Sequence, residues 1–136
     1  MADRDLSTTD YRSLARFRHA LRVFLRFSED AARARGLTPA QHQLMLAVRG
    51  WAGDDRPTVS DLAEVLQLRP HSALELARRA EEAGLVVLEP DPSDHRRQLV
   101  SLTPLGSEHL AELSSLHRAE LRRFRTEMNE VLKELD

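Results

Sequence analysis

Residues 91–97, a short stretch rich in aspartate and arginine, carry the side chains best suited to an anionic partner. An arginine at the tip of a β-hairpin can insert into the minor groove of DNA, where the negative potential is enhanced. Asp94 precedes Arg96 by two residues and is placed to orient that guanidinium through a bidentate pair. Arg97 follows directly. The segment predicts a DNA contact, and a merely solvated charged turn is the alternative.

A helix predicted from Pro70 to Ala83 presents a second polar surface. At 100° per residue its alanines and Leu76 fall on one side, and polar residues occupy the other. Donors and acceptors near a helix N-terminus suit base edges and phosphates. The candidate DNA contacts here are Arg69, His71, Ser72, Glu75, Arg78 and Arg79, together with Ser60 on the preceding helix. The alternative is a solvated face in which Glu75 pairs with Arg78 or Arg79.

The elements that would position these groups follow from periodicity and capping signals. Thr38 before Pro39, Ser60, Pro70, and Thr103 before Pro104 indicate helix starts. Gly36 and Gly84 indicate helix ends. The predicted elements are helices over 10–35, 39–50, 60–66, 70–83 and 103–136, with strands over 85–89 and 98–102 joined by a charged turn over 90–97. This order, with a hairpin after two short helices, predicts a winged helix-turn-helix.

The segment 91–106 resembles the wing of the MarR (multiple antibiotic resistance regulator) family. It has two spaced aspartates, an arginine two residues after the second, an alternating strand and a Leu-Thr-x-x-Gly helix start. Residues 37–41, 59–63 and 82–86 agree in order and spacing. The resemblance implies a mainly α fold with a small antiparallel hairpin wing. It also implies a homodimeric transcriptional regulator, commonly a repressor that a small ligand releases from a palindromic operator in double-stranded DNA.

The chain length predicts one folding unit over 1–136. The resemblance implies that this unit is MarR-like, with a DNA-binding lobe over 38–102. The apolar stripes of the terminal helices, 10–35 and 103–136, exceed what one small core can cover, which predicts dimerisation through them. Many relatives carry serine or threonine where this chain has Arg69 and His71, and often arginine at Glu75, so no base preference is carried over. The resemblance to the family, together with arginines of the first helix beside apolar neighbours, suggests an aromatic or apolar anion as effector, bound between the terminal helices and the DNA-binding lobe.

Composition restricts the remaining function classes. The 136 residues carry a formal net charge of −2 and no cysteine, so thiolate metal sites and disulfide switches are excluded. No apolar run approaches a membrane span and no secretory signal is visible, which predicts a cytoplasmic protein. Without catalytic or phosphate-loop motifs, neither an enzyme nor a cofactor is expected. Two alternatives stay open: an interaction module that has lost DNA binding, and a metal-responsive regulator using Glu108, His109 and Glu112 with His42.

Overall fold

A computed structural model describes residues 5–135, and the ends of the predicted single unit at 1 and 136 lie outside them. The chain forms α1 (Thr8–Ala34), α2 (Pro39–Arg49), α3 (Val59–Val65), α4 (Pro70–Glu82), β1 (Val86–Asp91), β2 (Asp94–Leu102) and α5 (Pro104–Glu134). The predicted fold class, mainly helical with an antiparallel hairpin wing after the helix-turn-helix, is confirmed. Among the described helices, none combines the length and apolarity that a bilayer crossing demands.

The described chain divides into two compact units, one formed by residues 5–31 with 114–135 and the other by residues 32–113. In the first unit, α1 packs against the C-terminal part of α5. Its interior includes Ser28 and His117, whose Oγ and Nε2 atoms lie 2.9 Å apart. The rings of Phe24 and Phe124 contact each other at a centroid distance of 5.2 Å and an interplanar angle of 37°. Burial of a polar pair is tolerated here because the two groups bond to each other.

A guanidinium surrounded by carboxylates also joins α1 to α5 in this first unit. The Arg16 side chain donates to Glu127, Glu130 and Glu134 over distances of 3.0 to 3.2 Å. These bonds raise the pKa of Arg16, led by the bond to Glu127. Because the three glutamates are spaced by three and four residues, they share one face of α5.

The second unit contains the helix-turn-helix and the hairpin around an apolar core. Its fully buried large side chains are Leu44, Met45, Leu62, Leu85, Leu113, Val86 and Val100. Alanines line the inner face of α4, where Ala73, Ala77 and Ala80 are buried. Small side chains allow α4 to approach its neighbours closely. The alanine face predicted from the sequence is therefore confirmed.

Helices α1, α3 and α4 end with the same backbone arrangement. The residue after the cap adopts a positive φ, which is 77° at Gly36, 56° at Gln67 and 78° at Gly84. The following amide then bonds back five residues, as from Leu68 N to Ala63 O at 2.8 Å. Glycine is the usual residue at this position because it has no Cβ to clash. The turn of the helix-turn-helix thus places a glutamine where the other two ends have glycine.

Two predicted details are wrong. Ser60 does not cap α3: the cap is Thr58, whose Oγ1 accepts from Asp61 N at 3.1 Å while the Asp61 carboxylate accepts from Thr58 N at 2.9 Å. The reciprocal bonds require a side chain that can accept a hydrogen bond three residues after the cap; Thr58 has Asp61 there, whereas Ser60 has Ala63. The charged turn predicted over 90–97 is much shorter, since β1 continues to Asp91 and β2 already begins at Asp94.

Candidate nucleic-acid interface

The wing carries an arginine that is both exposed and held in place. Asp94 accepts from Arg96 Nε at 3.1 Å, from an outer guanidinium nitrogen of Arg96 at 3.2 Å, and from Arg96 N at 3.1 Å. The Arg96 side chain is nevertheless 91% exposed, against 27% for Asp94. The bidentate arrangement predicted from the two-residue spacing is present. A guanidinium has five N–H donors, so three still face away from Asp94.

Electrostatics keep this pair ionised. The side-chain bond from Arg96, followed by the bond from its backbone amide, lowers the pKa of Asp94 below its ordinary value. Arg97 Nε lies 3.6 Å from the same carboxylate and lowers this pKa further. Across the turn, bonds from the backbone and hydroxyl of Ser93 lower the pKa of Asp91. The tip therefore combines two aspartates with two arginines. Asp91 accepts hydrogen bonds within the turn, Asp94 orients Arg96, and the donors of Arg96 and Arg97 reach solvent.

The base of the hairpin is attached to neighbouring segments on both sides. On the β2 side, Val100 N donates to Pro57 O at 3.0 Å. On the β1 side, Leu88 N donates to the Glu81 carboxylate at 2.8 Å. Thr103 Oγ1 also donates to Gly84 O, and accepts from Gly106 N at 3.0 Å at the start of α5. These contacts fix the wing on the same unit as α4.

The predicted residues of α4 all lie on its outer face. His71, Ser72, Glu75, Arg78 and Arg79 are exposed, as are Arg69 just before the helix and Ser60 in the first turn of α3. Glu75 Oε1 accepts from Arg79 Nε at 3.1 Å, the intrahelical pair considered as an alternative in the sequence. In the free protein, the Arg79 guanidinium is thus partly neutralised by Glu75.

A groove of about 260 Å³ brings part of the predicted set together. Its walls come from the start of α3, the start of α4 and the first half of β2, and it is lined by Thr58, Val59, Ser60, Pro70, His71, Leu74, Arg96, Arg97 and Gln98. Four of the predicted contacts therefore share one surface: Ser60, His71, Arg96 and Arg97. The remaining six, Arg69, Ser72, Glu75, Arg78, Arg79 and Asp94, do not line it.

Two of the four residues considered as metal ligands, His109 and Glu112, contact Arg35. Arg35 donates from Nε to His109 Nδ1 at 3.2 Å and also forms an ion pair with Glu112. Within residues 5–135, no three histidine or carboxylate side chains are grouped so that they could hold a metal ion.

Comparison with known proteins agrees with this geometry. The model of the MarR family matches residues 35–97, which include the helix-turn-helix and the wing arginines. The predicted resemblance to the MarR family is confirmed. Among solved structures, AbsC, a MarR family transcriptional regulator from Streptomyces coelicolor, is similar with a TM-score of 0.78 and 27% identity, over 98% of this chain and 90% of AbsC.

Two further known proteins are similar to this chain. A putative transcriptional regulatory protein for the hcr operon of Thauera aromatica is 26% identical over 96 residues, which is 71% of this chain but only 56% of that relative. BpsR of Bordetella bronchiseptica, described with the regulation of its DNA binding by 6-hydroxynicotinic acid, has a TM-score of 0.66 and 19% identity, over 87% of this chain and 88% of BpsR. The similarity to BpsR concerns the fold alone.

Sequence reasoning missed several residues that build this interface. Thr58 and Asp61 could have been found from their Thr-x-x-Asp spacing, a variant of the capping box. The attachment of β1 by Glu81 has no such signal, because the two partners lie seven residues apart in different elements.

Proposed function

We propose that this protein is a sequence-specific DNA-binding transcriptional regulator of the MarR family, which acts as a homodimeric, ligand-responsive repressor on a palindromic operator. The observation that carries the proposal is the Arg96 side chain, oriented by Asp94 yet 91% exposed on a hairpin. Ordering a flexible arginine on binding costs conformational entropy, and Asp94 removes part of that cost in the free protein.

In this proposal the two polar surfaces have different tasks. The exposed face of α4 enters the major groove, and the wing places Arg96 in the adjacent minor groove. Arg79 contributes to base recognition when it exchanges Glu75 for a guanine edge. Arg96 and Arg97 contribute to affinity for any duplex, because they meet phosphates and the minor-groove potential.

Titration of the purified protein with promoter duplex at two salt concentrations tests DNA binding. A binder that neutralises several phosphates loses affinity steeply as salt rises. Arg96→Ala removes a charge-assisted contact at each wing of a dimer, and since such bonds contribute about 1.5–3 kcal/mol each, affinity should fall at least about tenfold. Arg118→Ala, which removes the same charge from an exposed position on α5, is the control.

Two results would contradict the proposal. Wild-type affinity in a folded Arg96→Ala protein would mean that the wing is a solvated turn. Absence of binding to any duplex at low salt would favour the interaction module, for which the partly neutralised Arg79 is the supporting observation.

The homodimer rests on apolar side chains that the terminal helices leave exposed. They are Leu6 just before α1, Tyr11, Leu14, Val23 and Leu25 on α1, and Leu116, Leu121 and Leu132 on α5. A large apolar surface of this kind is covered in most soluble proteins, and a second copy is the simplest cover. Leu121→Glu should dissociate the dimer in sedimentation equilibrium. Leu46→Glu, at an α2 side chain that is equally 47% exposed, should leave it intact; a wild-type monomer would exclude the proposal.

The proposed effector is a small aromatic or apolar anion. A groove of about 350 Å³ in the unit of paired terminal helices is lined by Val23, Phe24 and Phe124, by Arg123, and by Glu120 and Glu127. Arg123 lies 3.8 Å from the Glu120 carboxylate, so a ligand carboxylate would replace Glu120 as its partner. A ligand changes the affinity of the protein for its operator only if it binds one conformer of the protein more tightly than the other. Aromatic carboxylic acids should raise the melting temperature and weaken operator binding, and if they do neither, this part of the proposal is wrong.

A further inference from the structure

At one pair of facing residues in the hairpin, both backbone amides point away from the partner strand and donate hydrogen bonds to neighbouring segments. Leu88 of β1 lies opposite Val100 of β2. In an antiparallel pair, residues facing each other at a non-hydrogen-bonded position direct their amides away from the partner strand. Val100 N points to Pro57 O at 3.0 Å, and Leu88 N points to the Glu81 carboxylate at 2.8 Å. The wing is thus held on both edges at the same level.

The two attachments differ in kind. The bond on the β2 side joins two backbone groups and no substitution of a side chain removes it directly. The bond on the β1 side depends on a single carboxylate, that of Glu81, in the last turn of α4. The carboxylate carries charge, which makes this hydrogen bond stronger than one between neutral groups. Glu81 therefore ties the helix proposed to enter the major groove to the strand that leads to the wing tip.

We infer that Glu81 is a positioning residue, which sets the wing relative to α4 so that Arg96 and the outer face of α4 meet adjacent grooves together. The inference rests on the proposed function, since it concerns how that site is aligned. Glu81 is negatively charged, as DNA is, and its proposed role does not require contact with DNA. Its contribution is made through Leu88, three residues before β1 ends at Asp91.

The first arm of the test follows the bond itself without DNA. Amide hydrogen exchange, measured by NMR, should be slow at both Leu88 and Val100 in the wild type. In Glu81→Ala the exchange at Leu88 should accelerate, while Val100, bonded to Pro57 O, should be unaffected. Glu81→Gln keeps an amide oxygen as acceptor and should restore protection at Leu88. Unchanged exchange at Leu88 in the alanine variant would overturn the inference.

The second arm measures operator affinity in a double-mutant cycle with Arg96→Ala. Both substitutions of Glu81 remove one negative charge near DNA, so the comparison between Ala and Gln isolates the bond from the charge. We expect Glu81→Ala to bind about three- to tenfold more weakly than Glu81→Gln when Arg96 is present, and equally when Arg96 is absent. A difference that persists without Arg96 would refute a role through the wing.

The two arms also separate this inference from the proposed function. If the wild type binds no duplex, the regulator function fails, and the exchange rates at Leu88 still decide whether Glu81 holds the wing. If the wild type binds and the cycle is additive, the function stands and the positioning role of Glu81 is wrong.

Discussion

Replacing Gly106 by alanine should destabilise the protein, although alanine is the better helix former. Gly106 is buried in the first turn of α5, and a Cβ built on it would lie 2.1 Å from Leu85 O, closer than non-bonded atoms can approach. The obstructing atom belongs to the backbone and cannot rotate away. It also accepts from Thr103 N at 3.1 Å, so moving it disturbs a second contact.

The magnitude follows from three contributions. Overpacking of this type costs about 1–3 kcal/mol, and loss of the bond from Thr103 N costs about 1 kcal/mol more. The higher helix propensity of alanine offsets at most about 1 kcal/mol. The free energy of unfolding of Gly106→Ala should therefore fall by about 1–3 kcal/mol.

Urea denaturation followed by circular dichroism measures this change. Ser107→Ala, at the exposed neighbouring position, is the matched control and should stay within about 0.5 kcal/mol of the wild type. If Gly106→Ala were as stable as the wild type or more so, helix propensity would outweigh the contact, and the close approach of α5 to Leu85 would be refuted.

Two further predictions concern the turn and the wing. Gln67→Val places a β-branched residue at the positive φ of 56° and should lower the free energy of unfolding by about 1–2 kcal/mol despite an exposed site, whereas Gln67→Gly should change it by less than about 1 kcal/mol; equal stability of the valine and glycine variants in urea denaturation would contradict this. The pKa of Asp94 is lower in the folded protein than in the unfolded chain. Its stabilising pair with Arg96 is therefore fully present above the pKa of the unfolded chain, and is lost only as the pH falls through the pKa of the folded protein. The ratio of operator affinities between wild type and Asp94→Asn should therefore be constant from about pH 5.5 to pH 8, and a ratio that changes across this range in binding isotherms would exclude the ionised pair as its origin.

Local signals in the sequence predicted those parts of the fold that short-range chemistry determines. As expected, Thr38 caps α2 and Thr103 bonds the first turn of α5. Gln41 in addition completes a reciprocal box with Thr38. The Asp94–Arg96 pair also follows from spacing, because side chains two residues apart in a strand share a face. For α3 two hydroxyls were available, and the carboxylate at position 61 decided in favour of Thr58.

Tertiary contacts determined what the sequence could not. The hairpin extends to Asp91 and Asp94, where the outer residues are largely exposed, so no alternation of apolar residues indicates the strands. Beyond the core, the wing is held by backbone pairing between the two strands and by the Arg56–Glu89 ion pair. Likewise, nothing in the pattern of α4 distinguishes Glu81, which bonds to Leu88, from the adjacent exposed Glu82.

The occupied edges of the hairpin also bear on self-association. A projecting two-stranded ribbon exposes two rows of backbone donors and acceptors, to which strands of other molecules can add. Here the β2 edge is occupied near its base by the backbone of Pro57 and a bridge to Thr58, and the β1 edge by Glu81. Farther out, Pro90 offers no amide, and the arginines repel their counterparts on another chain. The wing can thus project into solvent with little tendency to recruit a third strand from another molecule.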